Sequence, residues 1–199
     1  MKLMRIVMVA GLLAGSPASF AAPYKLDTAH LEVGFQVTHM MISKVKGRFT
    51  KVEGGFDFDD KKNELKAVDV KIEAGSITTE NQKRDDHLRS PDFFDTKKFP
   101  AITFKGEKVE MKDGKPAKVI GTLTMHGVSK PVVLDVELRG SMMNQEGLGV
   151  VGFSANGKIN RQDFGVKFNK NLDKGGVAVS DEVVITIDGE AVQEKAAKK

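Results

Sequence analysis

Leu31-Glu32-Val33-Gly34-Phe35-Gln36-Val37-Thr38 alternates apolar and polar residues without a break. Successive side chains on a strand point to opposite faces, so Leu31, Val33, Phe35 and Val37 share one face. The stretch predicts a half-buried strand. The same period returns at Val68/Val70/Ile72, Ile102/Phe104, Val119/Gly121/Leu123/Met125, Val132/Leu134/Val136/Leu138, Val151/Phe153/Ala155 and Val183/Ile185/Ile187. Turn-forming clusters separate these runs at 59–63, 112–116, 126–131 and 173–176, as hairpin connections require, so the sheet is antiparallel. Around Gly47 to Phe58 the phase slips: Phe49 and Phe56 share a face only if a bulge or bend sits near Gly54-Gly55. The fold class is all-β, with roughly eight strands in one domain. Periodicity is satisfied equally by a sandwich and by a closed barrel.

The amino terminus has another character. MKLMR is basic, IVMVAGLLAG is an apolar run, and SPASFAA ends in small residues, the pattern of a secretory signal peptide over 1–21 with cleavage after Ala21. That predicts export, and in a bacterium the periplasm. No later run approaches the roughly 18 apolar residues of a membrane span. There are no cysteines, which excludes disulfides, thiolate metal sites and cysteine nucleophiles. Removing Lys2 and Arg5 with the leader lowers the net charge from +4 to about +2, too balanced for a nucleic-acid partner. The Lys-rich end, 191–199, reads as a flexible tail.

One segment breaks the strand pattern. Arg84 to Pro100, RDDHLRSPDFFDTKKFP, concentrates charges and phenylalanines between two strands. About Glu80 to Ser90 reads as a short helix, with Thr78 or Thr79 as its cap and Ser90-Pro91 as its end. His87 beside Asp85, Asp86 and Asp92 invites an acid-base reading. Arginine and aspartate in a turn also tie loops together, and neither a nucleophile nor a metal accompanies the histidine, so the structural reading outweighs the catalytic one. His30, His39, His87 and His126 have no chelating spacing, and no metal is expected. The twelve phenylalanines form a packed core or line a cavity; both readings stand.

Five ordered motifs resolve that choice by resemblance. Tyr24-Lys25-Leu26-Asp27 followed by His30 to His39, then Gly47-Arg48-Phe49 with Gly54-Gly55-Phe56-Asp57-Phe58, then Arg84 to Asp95 with Phe99-Pro100-Ala101-Ile102-Thr103-Phe104, then Gly121 to Val132, and finally Asn160-Arg161-Gln162-Asp163-Phe164-Gly165 together resemble the YceI-like polyisoprenoid-binding family. Phe99 stands where that family often has tyrosine, and Glu32 where a small polar residue is common. The resemblance implies a lipocalin-like antiparallel β-barrel over 22–190 with a capping helix near 80–90. It implies a non-enzymatic periplasmic carrier, without a cofactor, for a long-chain isoprenoid, quinone or fatty-acid-like lipid. The expected apolar lining is Phe35, Val37, Phe56, Phe58, Phe94, Phe104, Leu123, Leu134, Val136, Phe153, Phe164 and Ile185. Arg84, His87, Arg89 and Arg161 are the candidates for a polar rim that holds a head group; ion pairs with Asp85, Asp92 or Asp163 are the competing role. A periplasmic enzyme acting on an isoprenoid or quinone through His87, and a stress-related structural protein with a filled barrel, are the alternative readings. The glycine-rich strand near Gly147 to Gly157 is a candidate edge for a homodimer.

Overall fold

A computed structural model describes residues 21–173 and 175–195. Apart from Ala21, the expected leader lies outside the described residues, as does 196–199 of the expected tail. Ten strand segments follow in order: β1 (Ala22–His39), β2 (Ser43–Phe49), β3 (Val52–Asp59), β4 (Glu64–Glu73), β5 (Ile77–Thr78), β6 (Ala101–Lys112), β7 (Lys115–Met125), β8 (Val128–Met143), β9 (Gly149–Asn160) and β10 (Glu182–Gln193). A single helix, α1 (Gln82–Arg89), lies between β5 and β6.

All pairings are antiparallel, and the last strand closes onto the first through registers such as Phe35↔Ile185 and Val33↔Ile187. β1 is long enough to take β2 along its second half (Val33↔Phe49 to His39↔Ser43) and β3 along its first (Ala22↔Phe58 to Lys25↔Gly55). β2 and β3 thus act as one bent stave, and the sheet is a closed barrel of eight staves. Closure removes the free edges that an open sheet would expose. It also answers the edge expectation for Gly147 to Gly157, because β9 is paired on both sides, with β8 and with β10.

The bend depends on glycine. Gly54 has φ +135, and a Cβ there would lie 2.2 Å from the Asp69 carbonyl oxygen; one on Gly55 would lie 2.1 Å from that of Tyr24. The missing side chains let β1 and β4 close on β3 from both sides, and the β3–β4 register slips between Gly55 and Asp57. The phase break read from the sequence is this bulge. Two connections are two-residue hairpins, Asp113-Gly114 and His126-Gly127, with positive φ at both positions, the turn whose twist matches that of the strands.

The two barrel ends differ. At the end holding the β1 start and the β3 finish, Tyr24 stacks on Phe56 at 6.0 Å and meets Phe58 edge-on at 6.1 Å, while Phe56 meets Phe153 at 5.7 Å. Burial pushes the Tyr24 hydroxyl pKa up, and the Asp60 carboxylate adds to the rise. Strand β10 continues three residues past the expected domain end at 190, with Ala191 fully enclosed. The opposite end carries α1, the 90–100 loop and a 3₁₀ turn, Arg161–Phe164.

Candidate functional site: an apolar cavity inside the barrel

The inward faces of the staves do not meet, leaving a cavity of about 460 Å³. Its wall is almost wholly hydrocarbon. Phe35, Val37, Phe56, Phe104, Leu123, Leu134, Val136, Phe153 and Ile185 lie on it, as the alternation places them, and Phe94 joins them from the turn after α1. Phe58 and Phe164 do not. Phe58 follows Phe56 on the same face but two residues nearer the strand's end, where its ring packs against Tyr24 beyond the cavity. Phe164 sits on the 3₁₀ turn rather than on a stave and is 2 % exposed within the core. Sequence reasoning missed Phe49, Phe93 and Phe168, which also line the wall. Phe35 packs on Phe49 at 5.9 Å and Phe49 on Phe94 at 6.0 Å, joining the barrel wall to the segment after α1. Phe35 has this reach because Gly47, its partner on β2, is bare: a Cβ there would lie 2.4 Å from the Phe35 ring.

Apart from Ser154, midway along β9, the polar members of the wall, His39, Thr79, Arg84, His87, Arg161 and Lys170, belong to the segments at the α1 end. Arg84, His87 and Lys170 are also solvent-exposed, so the wall reaches the surface there and this end is the mouth.

Helix α1 is held at that mouth by the charged motif. The Asn81 side chain, not Thr78 or Thr79, caps it by accepting from the Arg84 N–H at 3.1 Å. The threonines serve Asp85 instead: its carboxylate is 4 % exposed and accepts from the Thr79 N–H (2.7 Å), the Thr79 hydroxyl (2.6 Å) and the Thr78 hydroxyl (3.0 Å). Burial pushes the Asp85 pKa up, but these donors and the nearby Arg89 outweigh it and hold the carboxyl below the usual range. Arg89 donates to the Gly75 carbonyl at 2.8 Å and the Ile77 carbonyl at 2.7 Å and pairs with Asp86 at 3.1 Å. It therefore faces the β5 segment and lies off the cavity wall, which removes it from the rim. Arg84 donates Nε to the Thr79 hydroxyl (2.7 Å) and Nη2 to the Thr79 carbonyl (3.0 Å); among the described residues its Nη1 has no protein partner. His87 pairs Nε2 with Asp92 at 2.9 Å, and its ring meets Phe93 at 5.0 Å and Phe168 at 4.9 Å. Leu88 completes the face that α1 turns inward.

Arg161 touches the wall yet is 4 % exposed, with its guanidinium committed to the protein. Nε donates to the Ser180 carbonyl (3.0 Å), Nη1 to those of Val166 (2.7 Å) and Phe168 (2.9 Å), and Nη2 to the Val179 carbonyl (3.4 Å) and Asp181 (3.1 Å). Burial pulls its pKa below the usual arginine value, opposed by Asp181. The carboxylate partner is Asp181 rather than the expected Asp163, and the residue ties the 166–181 loop to the end of β9.

The histidines are dispersed. His39 lies on the mouth, and the ring of His126, in its hairpin, meets that of Phe99 at 4.5 Å, tilted by 57°. His30 lies in a bulge of β1 beside Asp27 (2.8 Å) and Glu190 (4.0 Å), the one group of three ligand-type residues among those described, and is well exposed.

A family model described as "YceI-like domain" matches residues 24–191. Protein YceI of Escherichia coli O157:H7 is 37% identical over 188 residues, covering 94% of this chain and 95% of its own. The YCEI protein of Campylobacter jejuni has a solved structure with TM-score 0.70 and 42% identity, covering 85% of this chain and 97% of that one. A polyisoprenoid binding domain from Saccharophagus degradans, implicated in plant cell wall breakdown, shares the fold at TM-score 0.62 and 17% identity, over 87% and 99% of the two chains.

Proposed function

This chain belongs to the YceI-like family, and we propose that it is a non-enzymatic periplasmic carrier holding a long-chain isoprenoid or similar amphiphilic lipid in its barrel. The observation that carries this reading is the continuous apolar wall around about 460 Å³, a volume within the roughly 300–1,000 Å³ of small-molecule sites. Each methylene moved from water into such a wall gains about 0.8 kcal/mol, so a long chain is retained without any chemistry. The polar end of the lipid then lies at the mouth, where the spare Nη1 of Arg84 supplies a cationic donor and His87 a second polar contact. The basic and apolar leader supports export, and the fold shared with a polyisoprenoid binding domain is consistent with the ligand class. A lumen that side chains leave unfilled counts against the filled-barrel alternative.

Leu123→Arg tests the proposal. Leu123 is 8 % exposed and stands on the wall, so the substitution places a cation in the path of the hydrocarbon. The variant, folded by circular dichroism, is expected to lose the lipid that co-purifies with the parent protein. Undiminished lipid in a folded variant would remove the barrel interior as the binding place.

A further inference from the structure

We propose that the mouth is also a membrane-docking surface: the β1–β2 turn and the adjoining residues 167–173 and 175–178 seat the barrel on an anionic lipid bilayer. The inference goes beyond the carrier reading and stands on separate residues. Met40, Met41 and Ile42 are consecutive and are 45%, 63% and 86% exposed. Two of them take left-handed backbone, Met40 at φ 49 and Met41 at φ 64, a conformation unfavourable for long side chains. The barrel's other tight hairpins use Asp113-Gly114 and His126-Gly127, residues suited to such angles. At the mouth, conformational ease gives way to an apolar tip held in place. The Met40 N–H donates to the Ala178 carbonyl at 2.8 Å, His39 bridges to Val179, and a Cβ on Gly176 would lie 3.3 Å from the Met41 Cγ.

Positive charge flanks that tip. Over the described residues 39–46, 167–173 and 175–178 there are four lysines against one aspartate. Lys44, Lys46, Lys167 and Lys170 are exposed. An apolar tip flanked by cations matches an interface of hydrocarbon beneath anionic head groups, into which lysine stems extend while their ammonium groups stay at the phosphates. A second copy docked mouth to mouth would oppose the same cations across the contact, which disfavours that occupant. The patch is continuous with the cavity, since His39 and Lys170 lie on the wall. A lipid therefore passes between bilayer and barrel with little of its chain exposed to water.

The test is co-sedimentation of the protein recovered from its own cells, its amino terminus read by mass, with phosphatidylglycerol/phosphatidylcholine vesicles and with phosphatidylcholine alone. Binding to the anionic vesicles is expected, with release as salt approaches about 1 M and the screening length falls to about 3 Å. Met41→Asp/Ile42→Asp and Lys44→Glu/Lys46→Glu should each weaken partition by about tenfold or more. Met142→Asp/Met143→Asp alters exposed residues at the far end of the barrel and should leave it unchanged. Each variant is checked for parental melting temperature and lipid content. No vesicle binding, equal binding by the mouth variants, or equal loss in the far-end variant would overturn the proposal. So would a dimer that only the mouth variants abolish. Lipid retained without vesicle binding removes docking and leaves the carrier reading; vesicle binding by a lipid-free protein does the reverse.

Discussion

Arg161→Lys separates the two roles open to Arg161, head-group contact and structural tie. The guanidinium makes five hydrogen bonds, four to main-chain carbonyls of the 166–181 loop and one to Asp181. Lysine keeps the charge but offers three donors from one atom, so at least two acceptors lose their partner in a site that is 4 % exposed. At about 1–3 kcal/mol for each buried acceptor left unpaired, the loss comes to about 4 kcal/mol. In a domain of this size each kcal/mol lowers the melting temperature by about 2–4 °C, so a fall of about 10 °C is expected. Thermal denaturation followed by circular dichroism measures it, and limited proteolysis should show new cleavage within 166–181. The lipid content of protein that remains folded should change little. An unaltered melting temperature with lipid lost would refute the reasoning and return Arg161 to the rim.

Asp85→Asn should loosen α1, because an amide cannot accept all three hydrogen bonds from Thr78 and Thr79; a cost of about 2 kcal/mol is expected in denaturant unfolding. The same carboxyl sets an acid limit. Its folded pKa lies below its unfolded value near 4, so its contribution is complete above that value and is lost as pH falls toward the folded pKa; the parent should lose stability in that window and Asp85→Asn should lack this component. His87→Ala removes the pair that the wall residue His87 makes with Asp92. In mass-spectrometric assays with isoprenoids and quinones neither protein should convert the lipid, and conversion by the parent that the variant lacks would establish the enzyme reading.

The strand pattern was legible because burial on one face imposes period two on residues such as Leu31, Val33, Phe35 and Val37. Closure of β1 on β10 was not, since it joins Phe35 to Ile185 across the whole chain and leaves no local signal. The resemblance supplied it. Periodicity reports which face a side chain occupies but not how far along the barrel it sits, which is why Phe56 lines the cavity while Phe58 packs beyond it. Phe93 and Phe168 stand on connecting segments, where alternation has no meaning; Phe94, beside Phe93, was expected on the wall only through the resemblance. The charged motif was visible, but its partners were not. Arg89 and Arg161 bind main-chain carbonyls, which every residue carries and no side-chain pattern reveals.

The most direct test of the carrier proposal is native mass spectrometry of protein recovered gently from its own cells, followed by solvent extraction of whatever leaves it. A stoichiometric long-chain lipid, released on unfolding, is the predicted result. Protein at its apo mass that takes up no isoprenoid, quinone or fatty acid on incubation would contradict it.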